Sequence, residues 1–334
     1  MNLTGQKILV TGGAGFIGSH LVESLIERGL AVVVLDNFRN GTRENLAAVT
    51  ASPLLEIIQG DITDAPTCLR AAKDVGVIFH LACLGVRHSL HNPLENHQVN
   101  AHGTLNMLEA ARAVKVQRFA YVSTSEVYGR AVDFPIREAT ATWPLTVYGA
   151  SKLAGEHYTR AYFESFRLPT VSVRPFNNYG PRSHFVGDTG EVIPRFMLRA
   201  LSGLPPVIFG NGSQTRDFLF VRDCVETLAK IVECDSLVGG LVNLGYGEET
   251  RVDELARLVL EITGRTDVKP VYEAERPADV PRLWVDTGKL QSAVAFKPRT
   301  SMRTGLQKTL THFRKLHQEN PNCLERMTAR NWEA

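Results

Sequence analysis

Apolar runs at 7–10, 31–35, 55–59, 77–81, 118–122, 170–173 and 241–244 punctuate the chain, each bounded by polar residues or glycine. Between them lie stretches in which apolar residues return every three to four positions, most clearly at 19–28, 99–114, 150–166 and 252–263. Short continuous runs mark strands buried on both faces, and the 3.6-residue period marks amphipathic helices. Their alternation predicts an α/β fold, a doubly wound parallel Rossmann sheet with ligands at the carboxyl ends of its strands.

Beyond Gly180 the character changes. Prolines, glycines and short elements dominate from 180 to 223, as in a smaller mixed α/β lobe that closes over a substrate. The expected division is a sheet domain over 1–175, with a return near 216–262, and a substrate lobe over 176–334. The tail beyond His317 is polar, and the pattern assigns it no structure.

With 334 residues, 44% of them hydrophobic, the chain can bury a large core in one large or two ordinary domains. A formal net charge of +2 gives no electrostatic case for nucleic acid or an anionic membrane as main partner. No apolar run approaches the ~20 residues of a membrane span, and no signal-peptide pattern precedes Lys7, so a soluble cytoplasmic protein is expected. Cys68, Cys83, Cys224, Cys234 and Cys323 are odd in number and lack any CxxC or Cys/His cluster. They read as reduced thiols, with no metal expected.

Chemistry enters where the first run ends. It passes straight into Thr11-Gly12-Gly13-Ala14-Gly15-Phe16-Ile17-Gly18 and then a helix. In that context Gly12 serves the tight turn, Gly15 the close approach of backbone to a pyrophosphate, and Gly18 the packing of helix on sheet. The helix N-terminus offers its N–H groups to the anion. Asp36, ending the second run, can accept from adenosine ribose hydroxyls and repel a 2′-phosphate, which favours NAD over NADP. Arg39 is either a solvated loop arginine or a binder of that phosphate. Asp61 and Ile62 sit where an adenine edge can be held, and Asn100 is either part of the site or a simple N-cap.

The fifth run ends in Ser123-Thr124-Ser125-Glu126, at the same sheet edge as the glycine turn. These groups either face the cofactor cleft or form a turn that Gly129 closes. Tyr148 and Lys152 stand four apart at the start of a helical segment, so phenol and ammonium share one face. Bringing a tyrosine from a pKa of about 10 to near 7 takes roughly 4 kcal/mol, much of which a neighbouring cation can supply. Without that role the pair is an ordinary surface spacing.

Together these motifs resemble the extended short-chain dehydrogenase/reductase superfamily, in its nucleotide-sugar epimerase/dehydratase branch. The carrying stretches are TGGAGFIG at 11–18, LDN at 35–37, GDI at 60–62, HLAC at 80–83, STSEVYG at 123–129, YGASK at 148–152, RPFNNYGPR at 174–182 and GNGSQTRDFLFVRD at 210–223. The resemblance implies NAD held by Gly12, Gly15, Phe16, Ile17, Gly18, Asp36, Asn37, Asp61, Ile62, Leu81, Ala82, Tyr148, Lys152 and Pro175. It also implies a catalytic Thr124, Tyr148 and Lys152. Tyr148 would take the proton of the sugar 4-hydroxyl as hydride leaves C4, and Thr124 would share a hydrogen bond with that oxygen. Lys152 would hold the nicotinamide ribose and lower the Tyr148 pKa.

For the substrate, a nucleotide-diphosphate sugar, Asn177, Arg216 and Arg276 resemble the family's diphosphate contacts, and Asp279 falls where a carboxylate can accept from the nucleotide ribose. Guanidinium forks suit phosphate oxygens, whereas each arginine in isolation would be a surface ion pair. The helices at 99–114 and 150–166 resemble those of the family's dimer bundle, so a homodimer is expected, although a face packed on its own domain gives the same pattern.

The fate of the sugar after C4 oxidation turns on other residues. An epimerase needs no further acid or base, but a 4,6-dehydratase must remove the C5 proton and protonate the leaving 6-hydroxyl, and Glu126 is a carboxylate for that work. Thr124-Ser125-Glu126 resembles several sugar-nucleotide 4,6-dehydratases and the UDP-glucuronate decarboxylases. It departs from the Thr-Asp-Glu of dTDP-glucose dehydratases, whose acid Ser125 cannot replace unaided. Gly85-Val86-Arg87-His88-Ser89, followed by Asn92 and Pro93, resembles a loop of UDP-glucuronate 4-epimerases. There Arg87 either pairs with a substrate carboxylate at C6, which would forbid dehydration, or is a loop arginine; His88 and His91 read as exposed loop histidines. The 4,6-dehydratase is the first expectation, followed by a UDP-sugar 4-epimerase and a UDP-glucuronate decarboxylase. From another class, a non-catalytic NAD-binding sensor or scaffold is disfavoured by the intact Thr124, Tyr148 and Lys152.

Overall fold

The computed structural model describes residues 1–276, 279–328 and 330; Pro277 and Ala278, between Arg276 and Asp279, and the last residues of the tail lie outside them. The apolar runs form β1 (Lys7–Thr11), β2 (Ala31–Asp36), β3 (Leu55–Gln59), β4 (Val77–His80), β5 (Arg118–Val122), β6 (Thr170–Pro175) and β7 (Leu241–Leu244). These make one sheet in the order β7-β6-β5-β4-β1-β2-β3, parallel at every pairing. The order reverses at β1, whose Leu9 lies between Val33 of β2 and Ile78 of β4. Chain connections leave in opposite directions on its two sides, which opens a crevice at the carboxyl ends of β1 and β4.

Successive side chains of a strand point to opposite faces, and here both faces are covered. Ile8, Val10, Val32 and Val34 enter one core layer, while Leu9, Val33 and Leu35 enter the other. The helices that cover the sheet and build the second lobe are α1 (Phe16–Glu27), α2 (Gly103–Ala113), α3 (Val147–Phe166), α4 (Val192–Leu201), α5 (Val221–Glu233), α6 (Val252–Thr263) and α7 (Met302–Glu319). Leu21 and Leu25 of α1 and Val225 and Leu228 of α5 close the first layer; Met107 and Leu108 of α2 close the second. Each such side chain contributes about 1.5–3 kcal/mol by leaving water, which is why these strands carry no polar alternation.

The second lobe packs α4, α6 and α7 around Phe196, Leu255, Val259, Leu306 and Phe313. The tail left unassigned by its polarity is partly ordered, because α7 runs to Glu319 and the turn Pro321–Arg326 returns Cys323 and Leu324 to this core. Among the described residues no helix is long and apolar enough to cross a membrane, and no group of His, Cys, Asp and Glu could hold a metal.

Two helices differ from their periodicity in ways that shape the crevice. A π-helical turn, Gln98–His102, precedes α2. Such turns recur at functional sites. Within it Asn100 is no N-cap: its amide accepts from Leu84 N–H at 2.8 Å and donates to Leu84 O at 3.0 Å, stapling the loop after β4. Helix α3 starts at Val147 because Thr146 Oγ1 caps it, accepting from Gly149 N–H at 3.1 Å. Tyr148 therefore lies in the first turn.

Candidate active site

A cavity of about 820 Å³ follows the carboxyl edge of the sheet from Asp36 and Asp61 to Glu126, Tyr148 and the second lobe. Its floor is the glycine turn. Gly12 has φ +68°, and a Cβ there would stand 2.9 Å from Ala82 N; one on Gly18 would stand 2.1 Å from Gly12 O. Only glycine lets the turn, β4 and α1 come this close. Thr11 Oγ1 accepts from the N–H groups of Leu81 and Ala82, both at 3.2 Å, so its own proton goes to His80 Nδ1 at 2.7 Å. His80 Nε2–H then donates to Thr104 Oγ1 at 3.1 Å, and that hydroxyl donates to Asn100 O at 2.6 Å. Burial, with Lys152 nearby, holds the His80 pKa down at about 3, so the ring is neutral and this one tautomer persists.

At the adenosine end, Asp36 accepts from Ala14 N–H at 2.9 Å and Phe38 N–H at 2.8 Å, one bond on each oxygen. Burial raises its pKa and these bonds oppose the rise. Lone pairs remain for ribose hydroxyls. Burial also works against the Asp61 carboxylate, but bonds from Thr63 and from Asn37 Nδ2, the latter at 2.7 Å, hold its pKa below the ordinary value. Gly15, Phe16, Ile17, Ile62, Leu81, Ala82 and Pro175 line the same cavity. A glycine cradle under a helix N-terminus, with carboxylates beyond it, fits a dinucleotide. Arg39 is a solvent-exposed loop arginine, as one of the two readings had it, and it is paired with Glu95.

At the reacting end, Thr124 accepts from Glu126 N–H at 3.2 Å, and the Tyr148 phenol shares the same cavity wall. Ser125 is buried beside it in the wall. Ser123 turns away, its hydroxyl donating to Glu156, whose carboxylate Arg174 grips at 2.9 and 2.6 Å. Lys152, 1% exposed, donates to Val122 O at 2.7 Å with Nζ 4.4 Å from the Tyr121 ring. Burial lowers the Lys152 pKa against Cys83 and Glu156. Burial, then Cys83, push the Tyr148 phenol above its ordinary value; Thr124 opposes them and Glu126 adds to the rise. The chain alone therefore keeps Tyr148 protonated at neutral pH, although its place in the first turn of α3 favours an anion.

At the sugar end, burial raises the Glu126 pKa; Arg216 lowers it, Asp279 raises it and Arg87 lowers it. Arg216 donates to Asp279 at 2.7 Å, so two groups expected to meet separate parts of a substrate are joined here. Arg276 stacks on Phe209 at 4.9 Å, and burial, with Arg87, brings its pKa down to about 9. Asn177 lies on the cavity wall with a buried Oδ1 that has no partner among the described residues. The sequence did not single out Glu191 and Arg195, one turn apart around the start of α4. Burial lifts Glu191 to about 8 against Arg87, and burial lowers Arg195 to about 10. Their only signal was the i,i+4 spacing.

The family model for GDP-mannose 4,6 dehydratase matches residues 9–309. The UDP-glucose 4-epimerase of Mycolicibacterium smegmatis is 36% identical over 318 residues, covering 94% of this chain and all of that one. UDP-glucuronic acid decarboxylase 1 of Arabidopsis thaliana is 36% identical over 318 residues, covering 92% of this chain and 70% of its own. The dTDP-glucose 4,6-dehydratase of Streptomyces venezuelae, solved with NAD bound, superposes with a TM-score of 0.88 at 31% identity, covering 94% of this chain and 99% of that one. The glycine cradle, the Thr124 and Tyr148 wall with Lys152 buried behind it, and these likenesses place the chain in the NAD-dependent nucleotide-sugar epimerase/dehydratase family of the extended short-chain dehydrogenases/reductases. Its cofactor is NAD.

Proposed function

We propose that the protein is an NDP-hexose 4,6-dehydratase that works through transient oxidation at C4. The observation that carries this reading is Glu126, a carboxylate in the reacting wall two residues from Thr124, where a 4-epimerase has no use for a further base. NAD, when bound by the glycine turn, Asp36, Asn37, Asp61 and the rest of that wall, would supply hydride uptake from C4 and its return to C6. Tyr148, protonated in the chain alone, would act as the phenolate that the positive charge of a bound nicotinamide favours, taking the 4-hydroxyl proton while Thr124 shares a hydrogen bond with the same oxygen. Lys152, fixed by Val122, holds the nicotinamide ribose. Glu126 then takes the C5 proton, and the same carboxyl returns it to the departing 6-hydroxyl, so that water leaves and a C5–C6 double bond forms; as C6 is reduced, C5 regains a proton drawn from solvent. Its raised pKa makes it a better base than a solvated carboxylate. Asn177, Arg216 and Arg276 hold the diphosphate, and Asp279 the nucleotide ribose.

The second reading, a UDP-sugar 4-epimerase, is favoured by the full-length likeness to the mycobacterial enzyme. Decarboxylation of a uronate ranks third. Arg87, the residue that could meet a C6 carboxylate, already lies in the field of Glu126 and Glu191, which favours an uncharged sugar. Glu126→Gln separates the first two readings: a dehydratase keeps C4 oxidation, seen as NADH absorbance, and loses elimination. An unchanged product would rule elimination by Glu126 out. The same reading includes a homodimer through the outer faces of α2 and α3, in the cytoplasm; equilibrium sedimentation at the monomer mass would reject the dimer.

A further inference from the structure

A bridge crosses the adenosine end of the cleft. Arg39, three residues beyond Asp36, gives both terminal nitrogens to Glu95: Nη1 to Oε1, and Nη2 to Oε2 at 3.1 Å. Glu95 sits on the short helix Pro93–His97 and is itself fixed by Asn92 Nδ2 at 2.9 Å and His88 Nε2 at 3.0 Å. Both bridge residues line the cavity, one from the loop after β2 and the other from the segment after β4. A guanidinium placed to meet a ribose 2′-phosphate thus already holds a bidentate anion. Its hydrogen bonds keep Glu95 below the ordinary carboxylate range, hence ionised at neutral pH. The neighbouring guanidinium, Arg43, lies 4.6 Å over the Phe38 ring and donates to Gln59 at 3.2 Å.

We propose that Glu95 is a cofactor-selectivity residue which, by occupying Arg39, completes with Asp36 the exclusion of NADP. A 2′-phosphate entering this end meets three carboxylates, Asp36, Asp61 and Glu95, and a guanidinium, Arg39, that is already engaged. An amide at position 95, its oxygen in the place of Oε2, keeps the shape and the Asn92 contact, removes one of the three negative charges, and gives up the bond to Arg39 Nη1, which a phosphate can then take.

The test uses the full chain loaded with NADH, whose fluorescence reports its displacement by added NADP⁺ or NAD⁺. Glu95→Gln is expected to be displaced by NADP⁺ at about tenfold lower concentration than wild type, with NAD⁺ unchanged, the scale of one charge-assisted hydrogen bond to an anion. In Arg39→Ala/Glu95→Gln the gain disappears, which identifies Arg39 as its carrier. Three results overturn the proposal: NADP⁺ no better in Glu95→Gln, both cofactors shifted alike, or the gain retained in the double variant.

Discussion

Tyr148 shows how little a residue's spacing settles and how much its surroundings do. Its i,i+4 relation to Lys152 suggests a shared wall, yet only Tyr148 lines the cavity, while Lys152 is buried behind it, donating to Val122, and the phenol stands above its ordinary pKa. A base of this kind acts by being placed against the proton it removes. Tyr148→Phe is expected to lower turnover by ~10² or more while NAD stays bound, measured by product formation beside the absorbance of the bound nucleotide. Glu191 makes a second prediction here. Its folded pKa, about 8, lies above the ordinary 4.5, so the stability it confers is full below pH 4.5 and is lost as pH rises through 8. Thermal unfolding of Glu191→Gln should therefore vary less than wild type across that window; parallel curves would refute the assignment. Sequence alone could not show this, because the burial that raises the Glu191 pKa, against the opposing charge of the distant Arg87, exists only in the folded chain.

At the scale of the element, strand, glycine turn and helix were legible in full. Apolar runs buried on two faces and glycines at fixed offsets are local signals. Gly18→Ala pits a Cβ against Gly12 O at 2.1 Å, and the expected cost is about 1–3 kcal/mol with weakened NAD binding, measured by denaturant unfolding and cofactor titration. The features that escaped the pattern all depend on a distant partner. Asn100 reads as a cap until Leu84 is beside it, Arg39 as a lone loop arginine until Glu95 faces it, and Cys323 as part of a polar tail until the second-lobe core is built.

For the whole molecule, the amphipathicity of α2 is already accounted for by burial of Met107, Leu108 and Ala111 against its own sheet, while its outer surface carries Glu109 and Arg112. Periodicity thus locates the helices without showing whether a second chain covers them. The two halves of the site are likewise unequal in legibility. The cofactor end follows a pattern that a sheet edge enforces, whereas the sugar end is assembled from a loop, a turn and the second lobe, and its arginines and carboxylates neutralise one another in three dimensions. That end decides the reaction, and the most direct measurement is the fate of C5 when the protein turns over UDP- and GDP-hexoses in deuterated water. A 4-keto-6-deoxy sugar carrying deuterium at C5 is the predicted product. A 4-inverted sugar without solvent label would contradict the dehydratase account and assign the chain to epimerisation, and carbon dioxide released from a uronate would contradict it in favour of decarboxylation.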